Sequence, residues 1–351
     1  MPIRVYSRSL IAAAILAIAA SAYVDRAFAQ QPPAETSTSA DARLQALYEA
    51  DWAWGLREYE QQDDGEGGFE PTGRLPRGDP QSQERRLVHA RETLAALARI
   101  PSEELSDAER INAAVLRTNI EHALIDGRFR EWEMPVNSDS AFWQYLAPRR
   151  GFRTAEHYRR YIGRMRDIPR YFDEHMANMR AGQARGFTPP RATLAGRDSA
   201  IAAYAAPDVE QNPFFAPFGD MPSSIPAAQQ EQLRQEGRAA IVEAVIPAYN
   251  EVLRYFRDEY VPNARTSWAA SRLPNGRAYY EAQIRKYTTL DLSAEEIHQI
   301  GLREVARIET EMQEVMRQSG FEGSFEEFLH FLRTDPQFYA ETPEELLMVS
   351  S

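Results

Sequence analysis

The stretch from residue 294 to 318 constrains the fold of this chain more tightly than any other. Ile297, Gly301, Val305, Ile308, Met312 and Val315 fall there at three- and four-residue steps, while Glu295, Arg303, Glu311 and Glu314 lie mostly off that stripe. Such a period collects apolar side chains on one face of an α-helix, and the spacing predicts an amphipathic helix of about six or seven turns. Ser293, three residues before Glu296, forms the start signal, in which a hydroxyl and a carboxylate satisfy orphan N–H groups at a helix N-terminus. Ser106 with Glu109 and Ser324 with Glu327 repeat it, and Thr342-Pro343-Glu344-Glu345 adds proline at the first helical position, where a missing N–H is harmless. Less regular helical periods run over 43–59, 84–99, 108–125, 155–180, 229–260 and 278–287, and no alternating β-branched run of comparable length competes with them. The predicted fold class is mainly α, a multi-helix, bundle-like domain.

Three connections interrupt the helices. Residues 61–80 are rich in Gly, Asp and Pro and read as a surface loop whose backbone joins no ladder. Thr188-Pro189-Pro190 makes residues 187–191 an extended linker, because a residue before proline avoids the helical region. Asn212-Pro213-Phe214-Phe215-Ala216-Pro217-Phe218-Gly219 places three phenylalanines in a Pro-bounded loop, which is expected to be buried against helices.

The N-terminus reads as an address. Arg4 and Arg8 precede an apolar run from Leu10 to Ala20, and Ala27-Phe28-Ala29 supplies small residues before a cleavage point. The run is shorter than the roughly 18 to 20 apolar residues that span a bilayer. Residues 1–29 are therefore expected to be a signal peptide cut after Ala29, and 30–40 a flexible Pro-, Ser-, Thr- and Ala-rich leader. Export to the periplasm or the exterior follows, without a stable membrane anchor after cleavage. Cleavage removes three arginines and one aspartate, taking the formal charge from −12 to about −14.

Composition excludes several chemistries. With no cysteine among 351 residues there is no disulfide, Cys-ligated zinc, iron–sulfur cluster, thiol nucleophile or lipidated N-terminal cysteine. An acidic pI near 5.2 argues against nucleic acid as a partner. Lys286 is the single lysine, and its context is neither a phosphate-binding G-K-[ST] loop nor an S-x-x-K acylase motif.

The six histidines, His89, His122, His157, His175, His298 and His330, never approach the i, i+4 spacing that puts two imidazoles on one helix face. His298 and Glu304 share a helix but point in different directions, so His298 reads as a locally bonded surface or half-buried residue. Gly196-Arg197-Asp198-Ser199 is not a nucleophile elbow, and Gly65-Glu66-Gly67-Gly68 opens no helix. The pairs Glu103-Glu104, Glu295-Glu296, Glu326-Glu327 and Glu344-Glu345 sit at predicted helix N-termini, where they complement the macrodipole. Trp52, Trp54, Trp132, Trp143 and Trp268, with 16 Tyr and 16 Phe, could line a groove with arginines to clamp carboxylates, but in a helical protein aromatic core packing with snorkelling Arg stems is the favoured account. No catalytic, cofactor-binding or metal-ligating residue is assigned in this chain.

The order of segments nevertheless carries a resemblance. Leu105-Ser106-Asp107-Ala108-Glu109-Arg110-Ile111-Asn112, Glu131-Trp132-Glu133-Met134-Pro135-Val136-Asn137 and the Phe-rich loop come in turn. They precede Leu273-Pro274-Asn275-Gly276-Arg277-Ala278-Tyr279-Tyr280, Thr288-Thr289 and Leu292-Ser293-Ala294-Glu295-Glu296-Ile297-His298-Gln299-Ile300-Gly301-Leu302. This series resembles the bacterial family of unknown function DUF885, over residues 41–347, with 348–351 as a tail outside the pattern. The resemblance implies the N-terminal portion of a larger helical, gluzincin-type metallopeptidase-like fold. In that fold zinc is held by an H-E-x-x-P-G-H-like helix in the C-terminal half, and a peptide is the expected substrate of the full-length form.

The chain stops before that helix, so a truncated product or an incomplete gene is expected, inactive alone and without a cofactor of its own. Truncation would leave the stripe from Ile297 to Val315 partly uncovered, with marginal stability or aggregation as the expected result. The alternative is a complete, non-catalytic periplasmic binding or interaction module.

Overall fold

The computed structural model describes residues 39–65, 68–148 and 151–350. The signal peptide, its Ala29 cleavage point and all but the end of the leader lie outside the described residues. Chain contacts divide the molecule into two units, residues up to 277 and residues from 278 onward.

The first unit begins with α1 (Ala40–Glu58), capped by the Ser39 hydroxyl, which accepts from Ala42 N–H at 3.2 Å. Its C-terminus leads into β1 (Gln61–Asp63), which pairs antiparallel with β2 (Phe69–Pro71), Gln62 opposite Glu70. The loop expected over 61–80 is thus corrected in its first half: a three-residue ladder takes up the backbone groups. Its second half lies partly at the surface, with Arg74 and Arg77 exposed, but Leu75 is only 2% exposed and Gly78 is buried as well. The ladder is too short to show an alternating pattern, and Gly65, at φ +77°, turns the chain between the strands.

Next come α2 (Pro80–Leu97) and α3 (Asp107–Phe129), which pack on each other and on α1 around Leu44, Leu97 and Leu105. Asp79 caps α2, accepting from Ser82 N–H at 3.1 Å and Ser82 Oγ at 2.8 Å. Burial pushes its carboxyl up, yet those bonds and the Arg77 guanidinium outweigh burial and bring it down to about 2. At α3 only half of the expected capping box forms. Ser106 accepts from Glu109 N–H, but the Glu109 carboxylate is buried and bonds Gln45 and Asn112 instead. Glu103 and Glu104 do not open α3; they lie in a separate 3-10 turn, Ser102–Glu104.

The long α4 (Ala155–Ala184) is the axis of the first unit. It packs against a second helical run made of α6 (Ala227–Ala240), α7 (Ile246–Tyr255) and α8 (Val261–Asn263), with α5 (Asp198–Tyr204) alongside α7. Between α6 and α7, and again between α7 and α8, one turn widens to a π-helix, Ile241–Val245 and Phe256–Tyr260. Each widened turn is followed at the same spacing by a proline, Pro247 and Pro262. Proline donates no N–H and its ring crowds the carbonyl four residues back, and a wider turn relieves both.

The core gathers Tyr158, Ile162, Met165, Ile168 and Phe172 of α4 with Ile241, Val245, Tyr249 and Phe256. Phe214, Phe215 and Phe218 are all buried in it, as expected of a Pro-bounded apolar loop. Two glycines on α4 let neighbouring backbone come close to the helix. A Cβ on Gly163 would lie 2.7 Å from the Gly73 carbonyl, and one on Gly182 would lie 2.4 Å from the Glu133 carbonyl.

The helix α9 (Gly276–Thr288) precedes the second unit's α10 (Ala294–Gln318), α11 (Phe325–Thr334) and α12 (Pro343–Ser350). Complete capping boxes start α10 at Ser293 with Glu296 and α11 at Ser324 with Glu327. At α12 the Thr342 hydroxyl accepts from Glu345 N–H, but the Glu345 carboxylate reaches Glu341 N–H. The fold is mainly α, as the periodicity implies.

Candidate functional site

The densest polar cluster holds residues 75–79 on α4. Asp167 accepts from Leu75 N–H at 2.8 Å, and Arg170 donates to the Leu75 carbonyl at 2.7 Å. Glu174 accepts from Gly78 N–H at 2.6 Å, and Asn178, buried, donates to the Gly78 carbonyl at 2.7 Å. Arg170 also bonds both Asp167 and Glu174. Burial pushes Asp167 up, but the bonds from Arg170 and Leu75 prevail and hold it low. Every member is thus committed to a partner.

His175 sits beside this cluster, its ring stacked on Phe142 at 4.5 Å and edge-on to Tyr171 at 4.5 Å. Its buried Nδ1 has no hydrogen-bond partner. Burial, then the charges of Arg170 and Arg86, bring its pKa down to about 4. A neutral imidazole in two cationic fields suits neither a general acid nor a metal ligand.

A second cluster joins α1 to α2. His89 Nε2 lies 2.7 Å from Asp51 Oδ1 and 3.4 Å from Thr93 Oγ1, and its ring stacks on Trp54 at 3.7 Å. The residue types suggest a relay, but a relay needs the carboxylate on one ring nitrogen and the nucleophile on the other. Here both contacts fall on Nε2, so the histidine ties two helices together.

A second histidine with a carboxylate, His157, meets Glu70 at 3.0 Å, and Arg160 shares that carboxylate. An arginine in the third position repels a cation. Among the described residues no group of three or more His, Asp or Glu side chains could hold a metal ion. The residues present do not fit a zinc site, and no hydrolytic step is derived from them. His298 lies exposed on α10.

Among the described residues the tryptophans do not gather into one groove. Trp143 is 1% exposed and belongs to the core, Trp54 is taken by His89, and Trp52 and Trp268 are exposed. What the second unit offers instead is a surface. On α10, Val305, Ile308, Met312 and Val315 are 64%, 43%, 38% and 57% exposed, and no residue of α10 or α11 is buried. Phe321, Phe328, Phe331 and Phe338 contact one another around α11, while the α10 stripe keeps its apolar face open. Among the described residues, no helix is long and apolar enough to cross a membrane.

The family model for the bacterial protein of unknown function DUF885 matches residues 59–350. This chain belongs to that family. The DUF885 match includes both units and reaches into α12. Among solved structures, the "putative lipoprotein from Colwellia psychrerythraea" aligns over 89% of this chain and 57% of its own, at 20% identity and a TM-score of 0.72. The "putative lipoprotein of unknown function from Shewanella oneidensis" aligns over 82% of this chain and 50% of its own, at 16% identity and a TM-score of 0.53. At such identities the likeness shows the fold alone, and this chain spans about half the length of these solved relatives. Comparison with curated proteins produces no significant match.

Proposed function

We propose that this chain is the N-terminal portion of an exported, peptidase-like DUF885 protein, one that binds peptides but does not hydrolyse them by itself. The observation that carries the reading is the open apolar stripe of α10 in a chain that spans 57% of its solved relative. A face of that width is expected to be covered by further helices of the family fold. On this reading the zinc ligands and the general base come from those helices, where the metal would polarise a scissile carbonyl and activate water. The residues of this chain supply walls and a rigid base around α4.

Export is supported by the charged start, apolar run and small residues that end at Ala29, and by the names of the two solved relatives. The sequence contains no cysteine to carry a lipid, so release after cleavage at Ala29 is the route proposed. The test compares this chain with a version extended by whatever coding sequence follows Ser351, both supplied with zinc and a quenched fluorescent peptide library. Hydrolysis by the extended form alone, abolished by a chelator, is the expected result. Hydrolysis by the present chain, or an extension with no H-E-x-x-P-G-H stretch in any frame, overturns the reading.

A further inference from the structure

No residue of α10 is buried, and its apolar row is more regular than a globular helix needs. Gly301, Val305, Ile308, Met312 and Val315 follow one another at steps of four, three, four and three residues. That is the 3.5-residue repeat of a coiled-coil seam, which packs against a partner helix, whereas a globular core covers a broader face.

Gly301 points the same way. A glycine in a helix interior lowers helix stability relative to alanine. Neither backbone nor packing in this chain calls for it: Gly301 lies inside regular helix, its φ is not positive, and a Cβ built there would meet nothing within 4 Å. A partner side chain filling the space beside the helix backbone supplies the reason.

The borders of the seam are acidic. At about 100° per residue, Glu304 and Glu311 flank the apolar row on one side and Glu309 flanks it on the other. Arg303, Arg307 and Arg317 lie further round the helix. Arg307 reaches back to one oxygen of each of two carboxylates, Glu304 Oε2 at 2.9 Å and Glu311 Oε1 at 2.6 Å, and so holds them in a row beside the seam. Glu309 is exposed and has no ion pair among the described residues.

These charges select the occupant. If two copies paired here, parallel or antiparallel, glutamates of one border would meet glutamates of the other and repel. A helix with arginine or lysine beside its own apolar row meets opposite charge on both sides.

We propose, resting on the reading above that this face is covered, that the seam from Gly301 to Val315 docks one amphipathic helix with basic borders. A large apolar side chain of that helix fills the space beside Gly301.

The test offers the full chain three synthetic peptides of about three heptads each. The first has Ile and Leu at the seam positions and Arg at both flanking positions, which also keeps it from pairing with itself. The second has Glu in place of Arg. The third is the first with its order shuffled so that the repeat is lost, and it reports general attraction to an acidic protein. In calorimetry the first is expected to bind at least about tenfold more tightly than either of the others.

Ile308→Asp puts a charge in mid-seam and is expected to abolish binding while leaving the Tm of the chain unchanged, because Ile308 is exposed. Glu309→Arg is expected to narrow the preference between the first two peptides severalfold. Gly301→Ala separates docking from helix stability: exchange of the α10 amides in the free chain should slow, while binding of the first peptide weakens.

The proposal is overturned if the first peptide does not bind, if the acidic or shuffled peptide binds as well, or if binding survives Ile308→Asp or is undiminished in Gly301→Ala. A dimer of the free chain that Ile308→Asp dissolves also overturns it, since the face then belongs to a second copy. No hydrolysis is read and no zinc is added, so the two tests fail separately. An extended chain without peptidase activity leaves the docking result standing, and failed docking leaves zinc-dependent hydrolysis to be judged by its own assay.

Discussion

The two units contain helices of the same kind and end in opposite states. α4 and α10 are both long, both capped by a hydroxyl at the N-terminus, and both amphipathic. The stripe of α4 is buried against α6, α7 and the Phe-rich loop, so that Met165, Ile168, Phe172 and Met176 are at most 1% exposed. The stripe of α10 remains open from Val305 to Val315. Amphipathicity decides which face of a helix seeks cover, and it says nothing about whether cover is within the same chain. That difference should divide the effects of mutation cleanly, since deletion of side-chain atoms matters in proportion to the contacts they make.

The strongest challenge to the comparison is Phe214→Ala. Phe214 is fully buried, its ring meets Tyr204 at 5.6 Å and Tyr249 at 5.7 Å, and its carbonyl receives the Tyr161 hydroxyl. Truncation leaves a cavity lined by rings that rotate little, and a loss of about 3–5 kcal/mol is expected in denaturant unfolding of the full chain. A loss below about 1 kcal/mol would show that the first unit is no better packed than the second.

A somewhat smaller effect is expected from pH, and it too belongs to the first unit. His175 has its pKa brought down to about 4 in the fold, against 6.5 for the free side chain. The unfolded chain therefore binds the proton first as pH falls. Stability is full above the unfolded value, declines as pH drops from 6.5 towards 4, and loses on the order of 3 kcal/mol over that interval. Asp79 and Asp167 act in the opposite window. Their carboxyls are held low, so the stability they contribute is present above about 3.8 and is lost only at more acid pH. His175→Phe keeps the stack on Phe142 and is expected to flatten the slope between pH 6.5 and 4 while leaving the more acid limb intact. An unchanged slope would mean that the ring is hydrated rather than buried.

The sequence foretold these two environments unequally. Helix positions, the starts at Ser293 and Ser324, and the burial of Phe214 and Phe218 were legible because each depends on residues close together in the chain. The hairpin of β1 and β2 was not, because three residues per strand carry no measurable alternation. The diversion of Glu109 towards Gln45 depends on a partner 64 positions away. His175 looks like an ordinary residue of a polar helix until α4 is seen to turn it towards the ring contributed by Phe142. For the π turns a signal did exist: Pro247 inside the run of helical period over 229–260, and Pro262 just past it, mark places where an ordinary α-helix is disfavoured.

The smallest expected effect draws the sharpest line between the units, because its sign is reversed. Val305 lies in mid-helix on α10 and is 64% exposed, so its methyl groups give up few contacts when removed. Val305→Ala instead replaces a β-branched side chain, stiff at χ1, with the best helix former, and a gain of about 0.5 kcal/mol in helix stability is expected. Hydrogen exchange of the α10 amides in the full chain measures it, with slower exchange than in the parent as the anticipated outcome. Faster exchange would mean that Val305 is packed against something in solution, and the open face of α10 would have to be given up. If the chain extended beyond Ser351 behaves as proposed, the same substitution there becomes destabilising, since the valine would then lie in an interface. One residue thus reports, by the sign of its effect, whether the second unit has found its cover.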